Sequence, residues 1–357
     1  MRIDKFFDTK NTEPLIIAEL SGNHNNSIKI AKKIISEVSK SGAQMIKFQT
    51  FSLDEMTFNL KKNIFKITNR NNPWFGKYYY DLYKKSFLPF DKIQELFNFS
   101  KKKRLLPFSS VFDLKSLEFL EKINCKVYKI SSFENTDHEL IKNVAQTKKP
   151  IIISSGLATK KEMDMAINLI KKFGNSKIIL LKCTSNYPAS HNDLNLKTIL
   201  DMKKRYKINI GFSDHTIGDV AAISAIAQGA TAIEKHVCLN RQIGIDSKFS
   251  LEVKNLKKFV NSCRDANLTS GKIFYGPTKK ELKLSRGSRS LYYKEDLKKG
   301  STIKKKHFKR CRPNKGIKIY NMEKIISKKL RKSVRHGDPV RLNHFYWSTL
   351  KFFSVHK

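Results

Sequence analysis

The chain is poor in cysteine, in acidic residues and in long apolar runs, and each shortage excludes something. Five cysteines occur in 357 residues (Cys125, Cys183, Cys238, Cys263 and Cys311), scattered and never spaced C-x-x-C. That pattern excludes a disulfide framework or a zinc ribbon and fits a reduced, cytoplasmic setting. No apolar stretch approaches the roughly 20 residues a membrane span needs, and the segment before Pro14 has no apolar core of the secretory kind. Acids are outnumbered, 31 Asp and Glu against 71 Lys and Arg, for a net charge of +40. Such an excess ordinarily points to nucleic acid or an anionic membrane surface. Here it is mostly lysine, spread over helix-like positions such as Lys32–Lys33, Lys101–Lys103 and Lys171–Lys172. Nucleic-acid readers instead concentrate arginine and aromatics on one face. Neither a nucleic-acid nor a membrane partner is expected, whereas a positive field that draws in small anions is.

What is present is a hydrophobic content of 40%, enough for a real core, and a recurring pattern. Eight short apolar runs each stop at a residue capable of chemistry. Leu15–Ile17 leads to Glu19, Met45–Ile46 to Lys47, Leu105–Phe108 to Ser109 and Ser110, and Val127–Tyr128 to Lys129. Ile151–Ile153 leads to Ser154, Ile178–Leu181 to Lys182, Ile208–Phe212 to Ser213 and His215, and Ala232–Ile233 to Glu234 and His236. Between them lie helical patterns, Ile28–Lys40, Leu114–Ile123, His138–Thr147, Lys160–Phe173, Asn195–Tyr206, Val220–Gln228 and Leu256–Ala266, with apolar residues three and four apart. Strand–helix alternation of this kind predicts an α/β fold, a (β/α)8 TIM barrel whose active site gathers at the strand C-termini. One gap is too long: Thr50 to Leu105 holds an aromatic-rich stretch with Trp74, Phe75, Tyr78, Tyr79, Tyr80 and Tyr83. It is either a lid at the barrel mouth or an insertion packed onto the barrel.

After residue 270 the texture changes. A linker is expected over 271–286, then a small β-rich domain over 287–345 and a tail over 346–357. The small domain carries a weak repeat: Lys299-Gly300-Ser301-Thr302-Ile303 runs to His307-Phe308, and His336-Gly337-Asp338-Pro339-Val340 runs to His344-Phe345.

Several residues carry the chemistry. Glu19 alternates in phase with Leu15 and Ile17, so a carboxylate faces the core and needs a lysine, a metal or a substrate hydroxyl. Lys47 and Lys129 end apolar strands, and two inward lysines repel unless an anion lies between them. With Ser110, Ser132, Ser154 and Ser213 they read as a cradle for phosphate and carboxylate. His215 and His236 end neighbouring strands. With oxygen ligands around them they suit a divalent Mn2+ or Mg2+ better than a structural zinc. Of the other histidines only His24 attracts interest. Glu134 and Asp246 are either surface acids or working carboxylates, and a carboxylate kept ionised by lysines can act as a base toward water. Lys182 leaves open a Schiff-base aldolase. A non-catalytic barrel that binds carbohydrate or nucleic acid is the alternative of another class.

Taken together, Ile16-Ile17-Ala18-Glu19, Asn23-His24-Asn25, Lys47-Phe48-Gln49-Thr50, Tyr128-Lys129-Ile130-Ser131-Ser132-Phe133-Glu134, Ser154-Ser155-Gly156, Gly211-Phe212-Ser213-Asp214-His215-Thr216 and Ile233-Glu234-Lys235-His236 resemble the sialic acid synthase family. The resemblance covers residues from about 14 to 345. It implies condensation of phosphoenolpyruvate with a 2-acetamido sugar on a divalent metal at His215 and His236. Phosphoenolpyruvate would be held by Lys47, Lys129, Ser132, Ser154 and Ser213, with Ser110 and Ser185 in support; Glu19, Lys47, Lys129 and Glu134 form the catalytic group. Tyr187, Asp246 and Arg312 would address the sugar. The terminal segment resembles the family's SAF (antifreeze-like) domain, whose arginine, here Arg312 in Cys311-Arg312-Pro313, reaches a partner's active site; that implies a domain-swapped homodimer. Within the family the chain is most similar to the pseudaminic acid synthases, through Glu19-Leu20-Ser21, Asp81-Leu82-Tyr83, Lys182-Cys183-Thr184-Ser185 and Gly244-Ile245-Asp246-Ser247. N-acetylneuraminate synthases usually carry histidine at the position of Ser247. Two positions where the sugar is read depart from the family: Asn314 stands where a glycine usually follows the proline, and Lys248 replaces a small residue.

Overall fold

In the computed structural model, eight parallel strands follow one another around a closed ring. They are β1 (Leu15–Glu19), β2 (Met45–Thr50), β3 (Leu106–Val111), β4 (Tyr128–Ile130), β5 (Ile151–Ser154), β6 (Ile178–Cys183), β7 (Asn209–Asp214) and β8 (Ala232–Cys238). Each pairs with the next, and β1 pairs with β8 to close the barrel. The structure describes residues 3–9, 13–70, 72–284 and 287–347. The strands read as near-continuous apolar runs because both faces are covered, the inner by the barrel core and the outer by helices.

Eight helices alternate with the strands: α1 (Ile28–Ser41), α2 (Phe90–Lys102), α3 (Leu114–Lys122), α4 (His138–Gln146), α5 (Lys160–Lys172), α6 (Thr198–Tyr206), α7 (Val220–Ala227) and α8 (Val253–Ser270). Local chemistry sets their starts. Ser27, Asp113, Asp137 and Thr159 each accept a first-turn backbone N–H, and Thr159 with Glu162 completes a capping box; such caps are worth about 1 kcal/mol each. The apolar spacing seen in the sequence becomes the buried stripe Ala31, Ile34, Ile35 and Val38 of α1. Helix α2 was hidden in the long gap, although Ile93, Leu96, Phe97 and Ser100 form its buried face. The true insertion is therefore 51–89, with short helices at Leu53–Met56 and Tyr79–Ser86.

Register decides which side chains meet inside. Glu19 lies beside Lys47 and His236, Gln49 beside Ser110, Ser110 beside Lys129, Cys183 beside Ser213, and Ser213 beside Glu234. Because alternate residues share a face, these side chains all point inward toward the C-terminal end of the barrel. Ser109 takes the opposite phase: its hydroxyl meets Thr50 Oγ1 at 2.7 Å and donates to the Phe48 carbonyl. Lys182 is also out of phase with inward Cys183 and is only half-buried.

The chain divides after Gly271 into two compact units. In the second, Ser290–Tyr293 pairs antiparallel with Phe308–Cys311 over a core that includes Leu291, Tyr293, Ile303, Phe308, Ile325, Leu330 and Val340. The two repeats fold alike: Gly300 and Gly337 turn the chain at φ +86° and +82°, and His307 and His344 are both buried. The segment read as a linker contains a six-residue helix, Lys279–Leu284, and its last two residues, like tail residues 348–357, lie outside the described residues. Among the described residues no helix is long and apolar enough to cross a membrane.

Candidate active site

At the C-terminal end of the barrel, the two inward lysines do not face each other unshielded. Lys47 Nζ lies 3.0 Å from Glu19 Oε2 and 3.0 Å from Glu234 Oε2, with all three side chains buried. Glu234 also accepts from the Ser213 hydroxyl at 2.9 Å, and Glu19 from the Ser21 backbone N–H at 2.9 Å. Burial lowers Lys47 to about 8 despite Glu234, and Lys129 adds to the lowering. Burial would raise Glu234, but Lys129 and Lys47 together hold it well below the usual carboxylate range. Glu234 thus supplies the counter-charge that the pairing of two inward lysines demanded. Its place next to His236 gave the sequence only a hint of that.

The hydroxyls gather on the other side. Lys129 Nζ donates to Ser154 Oγ at 2.6 Å, and Ser131 Oγ to Ser110 Oγ at 3.2 Å. Asn135 donates to the Ser154 and Ser132 carbonyls at 2.6 and 3.2 Å, tying the loop after β4 to β5. Gly156 lies beneath two of these hydroxyls: a Cβ there would come within 2.1 Å of Ser132 Oγ and 2.4 Å of Ser185 Oγ. Only glycine lets them close over the main chain. Cys183 Sγ sits among them, 3.6 Å from Ser132 Oγ and 3.9 Å from His215 Nδ1. Burial would raise its thiol, but His215 leads the contacts that bring it down to about 6.

His215 and His236 stand with ring centroids 5.2 Å apart, under Tyr187, whose ring lies 4.5 Å from that of His215. The Thr184 carbonyl lies 2.9 Å from His215 Nδ1. If that nitrogen carries the proton, Nε2 is left as the free acceptor. His236 Nδ1 is buried without a hydrogen bond, 3.6 Å from Asp246 Oδ2, and burial lowers this imidazole so that it stays neutral. Burial would lower His215, but Cys183 and the Thr184 carbonyl raise it overall. This imidazole beside His236, which has an orphaned nitrogen, fits a divalent ion that completes its shell with oxygen from water or substrate. Among the described residues no cluster of three or more His, Cys, Asp or Glu side chains offers a closed site.

Asp246 is placed by Ser21 and Asn23, which lie in the turn that follows β1. Asn23 Oδ1 accepts from Asp246 N at 3.0 Å, while its amide donates to the Val237 carbonyl and to Ser250 Oγ at 2.9 and 2.8 Å. Ser21 donates to the Asp246 carboxylate. Gly244, at φ +107°, packs so closely on Asn23 that a Cβ would lie 2.5 Å from its Cα. His24 is buried in this turn, its Nδ1 accepting from the Asn26 backbone, and burial lowers it to about 4, which makes it a neutral structural residue.

Glu134 lines a cavity of about 720 Å³ together with Tyr187, His236 and Asp246. Its Oε2 is buried without a hydrogen-bond partner, and burial raises the carboxyl to about 7 against the pull of Lys129. The far wall of the cavity comes from the insertion, where Met56, Ile64, Phe65, Ile67 and Trp74 stand beside the polar Thr57, Asn69 and Asn72. Trp74 also donates to the Ile245 carbonyl at 3.3 Å, bracing the loop that carries Asp246. Lys182 instead donates to the Cys183 carbonyl at 3.0 Å, which gives no support to a Schiff-base role. Arg312 belongs to the C-terminal unit and is exposed there.

Residues 34–275 match the NeuB family and residues 288–345 the SAF domain. The chain is 36% identical over 346 residues to a pseudaminic acid synthase of Campylobacter jejuni, covering 97% of this chain and all of that one. It is 33% identical over 332 residues to an N,N'-diacetyllegionaminic acid synthase of the same species, covering 92% of this chain and 98% of that one. Among solved structures, the N-acetylneuraminic acid synthetase of Leptospira borgpetersenii superposes with a TM-score of 0.68 at 30% identity, covering 77% of this chain and 91% of that one.

Proposed function

Since the chain belongs to the NeuB family, we propose that it is a carbon–carbon bond-forming transferase that condenses phosphoenolpyruvate with the open-chain aldehyde of 2,4-diacetamido-2,4,6-trideoxy-L-altrose and water, releasing phosphate and pseudaminic acid. One observation carries this reading: a lysine–serine cradle and Glu134, with one carboxylate oxygen unpartnered, share one barrel mouth with two adjacent histidines.

Lys47 and Lys129 would balance the charges of phosphoenolpyruvate, while Ser132, Ser154, Ser185 and Ser213, with Ser110 behind them, donate hydroxyls to its oxygens. A divalent ion, Mn2+ or Mg2+, on His215 and His236 would polarise the aldehyde carbonyl. Carbon 3 of phosphoenolpyruvate then bonds to the aldehyde carbon, whose oxygen takes up a proton. Glu134 takes a proton from the water that adds at carbon 2, and the tetrahedral adduct expels phosphate as the 2-keto group forms. Glu19 contributes by holding Lys47 in place. Tyr187 and Asp246 would orient the sugar. Arg312 would serve a partner subunit, so the active form is a domain-swapped homodimer, working in the cytoplasm.

Met56, Ile64, Phe65, Ile67 and Trp74 give the acylamino groups and terminal methyl of such a sugar apolar surface to pack on, with Thr57, Asn69 and Asn72 alongside. The test is mass spectrometry of products from phosphoenolpyruvate with the trideoxyaltrose, the legionaminate precursor or N-acetylmannosamine. The expected product is pseudaminic acid, with phosphate release stopped by chelator and restored by Mn2+. A preference for either other sugar makes the chain a legionaminate or N-acetylneuraminate synthase. Binding without turnover leaves the non-catalytic barrel.

Gly156→Ala gives a second check. The added methyl must displace the Ser132 and Ser185 hydroxyls, and a shift of about 1 Å in such groups can cost about 100-fold. The KM for phosphoenolpyruvate should rise by about that factor, and because the methyl would also lie 2.3 Å from Ser132 Cβ the melting temperature should fall as well. An unchanged KM would remove the two serines from the phosphate site.

A further inference from the structure

Asp214 and Lys235 flank the two histidines in sequence but take the opposite phase, facing the helices rather than the barrel interior. Both are 1% exposed. They lie side by side in the β7–β8 register, and Lys235 Nζ is 2.8 Å from Asp214 Oδ2. The same ammonium donates to the Thr216 carbonyl at 2.6 Å. Asp214 Oδ1 accepts from the Thr216 backbone N–H at 2.9 Å and from its hydroxyl at 2.8 Å. Residue 215 is therefore bracketed: the carboxylate before it and the peptide after it are both gripped by the residue that precedes His236.

Stability is a weak reason for such a pair. A buried ion pair loses to the desolvation of both charges much of what it gains, and an apolar pair of similar volume often does as well. What an apolar pair cannot do is fix direction. Here the ion pair and the Lys235–Thr216 hydrogen bond cross between the strand ends that carry the imidazoles, and two hydrogen bonds from Thr216 to Asp214 close the turn around His215.

We propose that Asp214, Lys235 and Thr216 are positioning residues that hold His215 and His236 in the mutual geometry needed to share one divalent ion. The proposal rests on the reading that these histidines bind such an ion. Thr184 orients the His215 ring from inside the barrel; the outer network fixes the backbone from which both rings project. Loss of supporting groups of this kind typically weakens metal binding 10- to 100-fold.

The test uses Mn2+ alone, titrated into metal-free full-length protein by calorimetry, with thermal unfolding measured in parallel. Asp214→Leu with Lys235→Met replaces the charges by an apolar pair. The double variant should melt within a few degrees of the wild type yet bind Mn2+ about 10- to 100-fold more weakly. Wild-type affinity in the folded double variant overturns the proposal. If that variant does not fold, Lys235→Arg keeps the charge and changes its reach; it should bind Mn2+ more weakly, and unchanged affinity there is equally fatal. Wild-type protein that binds Mn2+ no better than His215→Ala overturns the metal reading itself, and the proposal falls with it.

Discussion

Replacing Lys47 by methionine should abolish turnover and destabilise the barrel in the same variant. Its ammonium is 3.0 Å from both Glu19 and Glu234, and all three groups are buried. Without it two carboxylates share a dry site with no cation between them. Removing one partner from a buried ion pair costs about 3–5 kcal/mol, which denaturant unfolding would read directly. Loss of a fixed counter-charge from an anion site adds a fall of about 100- to 1,000-fold or more in kcat/KM. The two acids should then separate by role. Glu19 is engaged by Lys47 and by the Ser21 backbone, so Glu19→Gln acts mainly through Lys47. Glu234 also holds Ser213, and Glu234→Gln should be the more damaging to phosphoenolpyruvate binding. A Lys47→Met variant as stable as the wild type would mean that the carboxylates are not held as a charged pair.

The ring of strand ends was legible because a parallel barrel strand is covered on both faces. It reads as an apolar run that breaks only where a side chain reaches the site. That signal revealed Lys47, Lys129, Ser154, Ser213, His215 and His236 one strand at a time. It could not show that Glu234 would meet Lys47, because that contact depends on β1 closing against β8. Asn23 and Gly244 stand in the family motifs without a role, and Asn135 is not singled out at all, for a related reason. Turn residues such as Asn and Gly are common for local causes, and the contacts that set these apart are made to residues about 20 to 220 positions away. Helix α2 was obscured by its neighbours: an aromatic-rich insertion runs straight into it, so the change of period at Phe90 has no glycine to mark it. Asp214 and Lys235 were in plain view inside the histidine motifs, yet only the strand phase shows that they point outward.

The dependence of kcat/KM on pH should be bell-shaped and narrow. Glu134 is raised by burial to about 7 from 4.5, so below that pH it holds a proton and cannot accept one from water. Lys47 is lowered by burial to about 8 from 10.5, so above that pH it loses the charge that balances the substrate. Glu134→Gln should cut kcat/KM by about 100- to 10,000-fold and erase the acid limb while the alkaline limb stays. Stability moves differently, and that separates titration from unfolding. Between about 7 and 4.5 the folded state holds the Glu134 proton more tightly than the unfolded chain, so this group's contribution is present at low pH and is lost as pH rises through about 7. Between about 8 and 10.5 the unfolded chain binds the Lys47 proton more tightly, so that contribution grows with pH. On the alkaline side activity should therefore fall while the Lys47 contribution to stability rises. Unfolding curves recorded in parallel with the rate profile check this: an alkaline activity loss that tracks loss of fold, or an acid limb that survives in Glu134→Gln, would take the respective role away from Lys47 or from Glu134.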